Sequence, residues 1–144
     1  PQSAVAEADV VITMLSDGTA VADIMFNQGV AEAIREGATR IDMSSIGADE
    51  AIEHAKRHVK RGVRYLDAPV SGGTKGAAAG ELAIMAGGDA ETFAAMRPLW
   101  SLSSPPPPGF CATLVARRWR TSAARCAEAA LRWGLSYSAH SAFS

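Results

Sequence analysis

The sequence predicts an α/β protein built on a mainly parallel sheet, and three observations carry that prediction. Val10, Val11, Ile12, Thr13, Met14 and Leu15 form a continuous apolar run, as a strand buried on both faces requires. Shorter runs recur at residues 39–43 and 63–67, and helical periodicity follows the first two, which implies parallel strands joined by helical crossovers. The 144 residues are 48% hydrophobic and 20% charged, enough to bury one sizeable core.

Residues 1–8 read as the end of a helix that Ser3 could cap. The strand over 10–15 is broken by Asp17 and Gly18, and a helix over about 19–26 presents Val21, Ile24 and Met25 on one face. Gly29 interrupts it, residues 30–36 add a helical turn or two, and Gly37 suits a helix stop. The strand over 39–43 ends in Ser44 and Ser45, two hydroxyls that could contact a ligand or cap the next helix. That helix, over 48–61, has Ile52, Ala55 and Val59 as its apolar stripe and turns Glu53, Lys56, Arg57, Lys60 and Arg61 to water. His54 and His58 have the i, i+4 spacing of metal ligands, but no third ligand accompanies them. They read as solvated histidines, and no metal site is expected. Gly62 ends the helix and the strand to Asp67 follows; residues 74–80 read as a small-residue loop. Residues 82–86 read as a strand closed by Gly87, Gly88 and Asp89, and residues 90–99 as a helix whose Phe93, Met96 and Leu99 belong to the core.

Chemistry concentrates in Asp67, Ala68, Pro69, Val70, Ser71, Gly72 and Gly73, where the third strand gives out. Pro69 cannot donate to a ladder, so regular pairing should stop there. Gly72 and Gly73 allow strained angles and close approach of backbone to a ligand, and Ser71 offers a hydroxyl. The same residues also suit a tight turn with a capping serine. In a doubly wound sheet the ligand loops lie at the carboxyl ends of strands, which Met14, Leu15 and Ser16 also occupy.

Residues 67–73 resemble the substrate-binding signature of the β-hydroxyacid dehydrogenases, including 3-hydroxyisobutyrate dehydrogenase and tartronate semialdehyde reductase, with 6-phosphogluconate dehydrogenase as a more distant relative. Residues 9–15, 41–46 and 80–88 resemble three further blocks of that family, in family order, so the likeness covers roughly residues 1–100. It implies a partial Rossmann-type doubly wound sheet lacking its first half, NAD or NADP as cofactor, and reversible hydride transfer to or from a small 3-hydroxy acid. By resemblance Ser71, Gly72 and Gly73 would hold the substrate, while Met14, Leu15 and Ser45 would contact the cofactor. The sequence contains no Gly-x-Gly-x-x-Gly turn, and the strand whose end selects NAD or NADP is not identifiable. The family's catalytic lysine has no counterpart: Lys56, Lys60 and Lys75 are the only lysines, and Asn27 is the only asparagine. No catalytic residue is identifiable. The expectation is a fragment inactive by itself, with the first strand as an apolar edge.

Residues 101–144 break the pattern. Pro105, Pro106, Pro107 and Pro108 open a polyproline-type linker, and five arginines with the single acid Glu128 follow. Residues 1–100 carry a net charge of −5 and the tail +4. The reading is a Pro-linked basic tail, irregular or out of frame, with a conceivable helix over about 123–133; an intact coding frame with no alternative that restores the family's glycine turn and lysine helix would reject the frameshift. Cys111 and Cys126 lie there without metal-ligand spacing. No apolar run approaches a membrane span, and the charge split is no sign of nucleic acid. The resemblance implies a cytoplasmic setting, a small hydroxy-acid partner and homo-oligomeric full-length relatives. A non-catalytic nucleotide- or acid-binding module and a basic-tailed interaction protein are the alternatives.

Overall fold

The computed structural model describes residues 1–79 and 82–100. The basic segment 101–144, with its expected helix and both cysteines, lies outside the described residues.

The elements follow in the order α1 (Gln2–Val5), β1 (Val10–Thr13), α2 (Gly18–Ala22), α3 (Val30–Ala33), β2 (Thr39–Asp42), α4 (Ala48–Val59) and β3 (Arg64–Asp67). Then come β4 (Val70–Ser71), α5 (Gly73–Ala79), β5 (Ala83–Ile84), β6 (Gly87–Gly88), α6 (Ala90–Ala95) and α7 (Arg97–Trp100). β1, β2 and β3 pair in parallel, as the apolar runs and helical crossovers require, and β6 adds antiparallel to β3. The sheet is thus mainly parallel, with β1 at one edge. Ile12 on that edge strand is 54% exposed, as expected of an apolar edge.

Local chemistry explains the boundaries. Asp17 caps α2, its carboxylate accepting the Ala20 amide at 2.9 Å. A π-helical stretch, Asp23–Asn27, continues that helix, and the Asp23 carboxylate accepts the side-chain amides of Asn27 and Gln28 across it. α4 stops where Gly62 takes φ +69°. The N-cap of α4 is Gly47, whose amide donates to Glu50 Oε2 at 2.7 Å, so Ser45 does not cap that helix. Ser3 sits inside α1 and does not cap it either; Pro1 holds that position.

Three elements differ from expectation. Residues 74–79, expected as loop, belong to the helix α5, because a run of alanines after Thr74 and Lys75 offsets its glycines. Residues 82–86 are not one strand. β5 pairs antiparallel with β4 as a separate two-stranded ribbon, and the chain then crosses to the main sheet as β6. A Cβ on Gly88 (φ +149°) would lie 2.7 Å from Leu66 Cδ2 and 3.0 Å from the Tyr65 carbonyl, so this close approach requires glycine. The third difference is in α4: its buried face is Ala51, His54 and His58, whereas Val59 is 66% exposed.

Strand alternation splits the sheet into two faces. Val11 on one face packs with Val21, Met25, Val30, Ala31 and Ile34, and Arg40, Asp42, Tyr65 and Asp67 point to that same side by register. Ile41 and Leu66 on the other face bury against Ala68 and Ala86, with Phe93, Met96 and Leu99 packed on them, as the helical spacing of those three predicted.

Candidate functional site

The three parallel strands end level: Thr13 is opposite Asp42, and Asp42 is opposite Asp67. One further rung follows on each side, Met43 N–H to the Thr13 carbonyl and Ala68 N–H to the Asp42 carbonyl, both at 2.7 Å. The chain then leaves the sheet at this end, and the candidate cofactor and substrate residues follow in the loops and short elements beyond it. Met14 and Leu15 follow β1; Met14 is 64% exposed and Leu15 is half-buried against the helical core. Ser45 follows β2 and is exposed. Ser71 lies in β4, half-buried, and Gly72 (φ +132°) and Gly73 (φ +57°) follow it, both exposed. Space beside Gly73 is open: an added Cβ would meet nothing within 4 Å. Regular pairing of β3 stops before Pro69, as its missing N–H dictates, and the Pro69 carbonyl instead accepts the Met85 amide at 2.9 Å.

Beneath these loops lies a polar network that the apolar patterns gave no hint of. Arg40 and Asp42 are completely buried, with Arg40 Nη2 donating to Asp42 Oδ2 at 2.7 Å. Thr13 Oγ1 donates to Asp42 Oδ1 at 3.1 Å and accepts from Arg40 Nη2 at 3.2 Å. The Ser44 amide donates to the same carboxylate oxygen at 3.1 Å, and Tyr65 Oη reaches Asp42 Oδ2 at 3.4 Å. Asp42 therefore answers one buried guanidinium and three further donors, which is what makes its burial tolerable.

Above this network sit the two histidines of α4. Both are buried, against the expectation of solvated rings, and His54 stands edge-on to Phe26 with centroids 4.9 Å apart. His58 Nδ1 lies 2.7 Å from the His54 carbonyl, which requires a proton on that nitrogen. Burial drives the His58 pKa down to about 4, with the Arg40 charge adding to it, and lowers His54 for the same reasons. Both rings are thus neutral at pH 7. Arg40 Nη1, His54 Nδ1 and His58 Nε2 are buried without a hydrogen-bond partner. No cluster of three metal-ligating side chains occurs among the described residues.

Asp67, at the start of the Ser71 loop, is pushed up to about 7, first by burial and then by the neighbouring Asp42 carboxylate, with Arg40 opposing. A carboxyl whose pKa is raised toward neutrality repels an anionic ligand less than an ordinary, fully ionised carboxylate would. The lysines are elsewhere on exposed surface, Lys56 on α4, Lys60 just after it and Lys75 on α5. No helix among the described residues is long and apolar enough to cross a membrane.

Residues 1–105 match the family described as the NAD binding domain of 6-phosphogluconate dehydrogenase. Among full-length relatives, the chain is 38% identical over 102 residues to 2-(hydroxymethyl)glutarate dehydrogenase of Eubacterium barkeri, covering 70% of this chain and 34% of that protein. It is 42% identical over 96 residues to 2-hydroxy-3-oxopropionate reductase of Escherichia coli K12, covering 66% of this chain and 33% of that protein. A solved structure of Mycobacterium tuberculosis 3-hydroxyisobutyrate dehydrogenase with L-serine superposes with TM-score 0.70 at 34% identity, over 94% of this chain and 50% of that one. The chain thus spans about a third of the length of the curated relatives it matches.

Proposed function

This chain belongs to the family of the NAD binding domain of 6-phosphogluconate dehydrogenase, and from that premise we propose that it supplies part of an NAD(P)-dependent dehydrogenase of a small 3-hydroxy acid. The observation that carries the reading is the level edge Thr13–Asp42–Asp67, from which all three candidate loops leave the sheet on one side. The fit is partial. Exposed Met14 and Ser45 suit the ribose and nicotinamide side of a dinucleotide, with Leu15 behind them. The sequence has no glycine turn for the pyrophosphate.

When bound, the nicotinamide supplies the hydride chemistry. The protein's part is to hold the acid: Ser71 would donate its hydroxyl, and the Gly72 and Gly73 amides would donate to the carboxylate, charge-assisted bonds that fix its orientation. Asp67, with its pKa raised to about 7, carries less negative charge at the start of that loop than an ordinary carboxylate would. No lysine follows the loop within reach of a reacting oxygen in the family's pattern, so this chain binds without turning over. A cytoplasmic setting and a homo-oligomeric whole protein belong to the same reading as what the family resemblance implies.

Titration of the 144-residue chain with NADH and NADPH, followed by turnover assays that pair 3-hydroxyisobutyrate with NAD+ or NADP+ and tartronate semialdehyde with NADH or NADPH, tests the proposal. Saturable dinucleotide binding without turnover is the expected result. Absence of binding to either dinucleotide overturns the cofactor role, and measurable turnover overturns the inactivity.

A further inference from the structure

Ser44 and Ser45 are adjacent hydroxyls with opposite surroundings. Ser45 is exposed, whereas Ser44 is 1% exposed, and its Oγ accepts the Leu15 amide at 3.0 Å. The parallel ladder between β1 and β2 makes its last main-chain rung at Met43 N–H to Thr13 carbonyl. The Leu15–Ser44 bond is a rung beyond it, made by a side chain where the backbones have begun to diverge. Ser44 is itself held, because its amide donates to Asp42 Oδ1. That oxygen also takes the Thr13 hydroxyl, and the other oxygen is clamped by Arg40. Every link from the buried ion pair to the Leu15 backbone is a hydrogen bond between groups that are buried or part-buried.

We propose that Ser44 is a positioning residue: its buried hydroxyl, anchored through Asp42, latches the loop after β1 to the loop after β2 and so sets the spacing between exposed Met14 and exposed Ser45. This rests on the cofactor role proposed above, since those two residues are the ones that would face the dinucleotide. Ser44 touches no ligand in this scheme. It acts through Leu15, and Asp42 acts through Ser44.

The test compares the 144-residue chain with its Ser44→Ala and Ser45→Ala variants by two measurements. The first is amide hydrogen exchange at Leu15, referred to Thr39, whose amide donates to the Asp9 carbonyl at 2.9 Å in the ladder. The second is titration with NADH and NADPH. Loss of one such bond is expected to speed Leu15 exchange about fivefold or more relative to Thr39 in Ser44→Ala, and to weaken dinucleotide binding alongside. Ser45→Ala is expected to weaken binding with Leu15 exchange unchanged. Unchanged Leu15 exchange in Ser44→Ala overturns the latch. So does faster exchange at Leu15 with undiminished dinucleotide affinity, because the loop spacing would then not matter. A general loss of protection that includes Thr39 marks Ser44 as a packing residue and also overturns it. If the unsubstituted chain binds neither dinucleotide, the cofactor role fails by itself. Leu15 exchange then decides the latch alone, selective acceleration supporting it and none refuting it.

Discussion

The two faces of the sheet solve burial in opposite ways. On one, β2 and β3 present Ile41 and Leu66 to Ala68, Ala86 and the α6–α7 residues Phe93, Met96 and Leu99. That face is held by removal of apolar surface from water, a non-directional force that tolerates adjustment. On the other, the same strands present Arg40, Asp42, Tyr65 and Asp67, covered by the histidines of α4. There stability depends on each donor finding its acceptor, and loss of one partner strands a charge. The polar face is also the one from which Ser44 and Thr13 reach the loops. The difference teaches that the apolar face holds the sheet together while the polar face fixes where its ends point.

Breaking the polar face should cost most. Asp42→Ala leaves Arg40 buried without its ion-pair partner, with an expected loss of about 4 kcal/mol in denaturant unfolding. A double variant, Arg40→Met with Asp42→Leu, should recover most of that loss; if it does not, the face is held by more than charge pairing. Leu66→Ala on the apolar face opens a cavity against Ala68 and Ala86 and should cost about 3 kcal/mol.

Acid sharpens the comparison further. His58 has a folded pKa below its ordinary 6.5, at about 4, so the unfolded chain takes up a proton first and stability falls as pH drops from 6.5 to 4. Asp67 works with the opposite sign. Its folded pKa is raised from 3.8 to about 7, so the folded chain holds the extra proton and stability falls as pH rises from 3.8 to 7. Over their shared window the two contributions oppose each other. Asp67→Asn should therefore expose the histidine slope, a stability that rises by on the order of 3 kcal/mol between pH 4 and 6.5. Unfolding of both proteins at stepped pH measures it, and equal slopes would mean that Asp67 does not hold its proton. The smallest effect is expected at the open edge: Ile12→Thr should change stability by less than about 0.5 kcal/mol while lowering aggregation, read by light scattering.

What the sequence made legible follows the same division. An unbroken apolar run announced β1, a shorter run interrupted by Arg64 announced β3, and glycine marked the end of α4, because burial and backbone freedom leave local traces. The polar network left a fainter one. Arg40 and Asp42 alternate with Ile41 in a strand whose every residue is buried, and charges at such positions demand polar cover. That cover is Ala51, His54 and His58, a face rotated away from the Ile52, Ala55 and Val59 stripe that apolar spacing suggested. Side-chain polarity alone cannot reveal that a helix packs its histidines inward when the sheet beneath is ionic. The two-residue strands β4, β5 and β6 were hidden for a different reason, since pairs such as Gly87 and Gly88 have no pattern to read. At the candidate site, the loop residues were named from the family resemblance, with residue types adding the Ser71 hydroxyl and the two glycines. Ser44 was set aside in favour of Ser45, because only the fold tells which of two neighbouring hydroxyls is inside.

The sheet's borders are unlike each other, and this gives the molecule a direction. Beyond β3 lies a strand of two glycines running the opposite way, too short to template another neighbour. Beyond β2 lies β1, a four-residue strand whose outer groups are unmatched among the described residues, beside the solvent-facing Ile12 and Met14. Lateral growth of this structure is therefore one-sided: a further strand, from whatever source, has a docking rail along β1 and a terminus at β6.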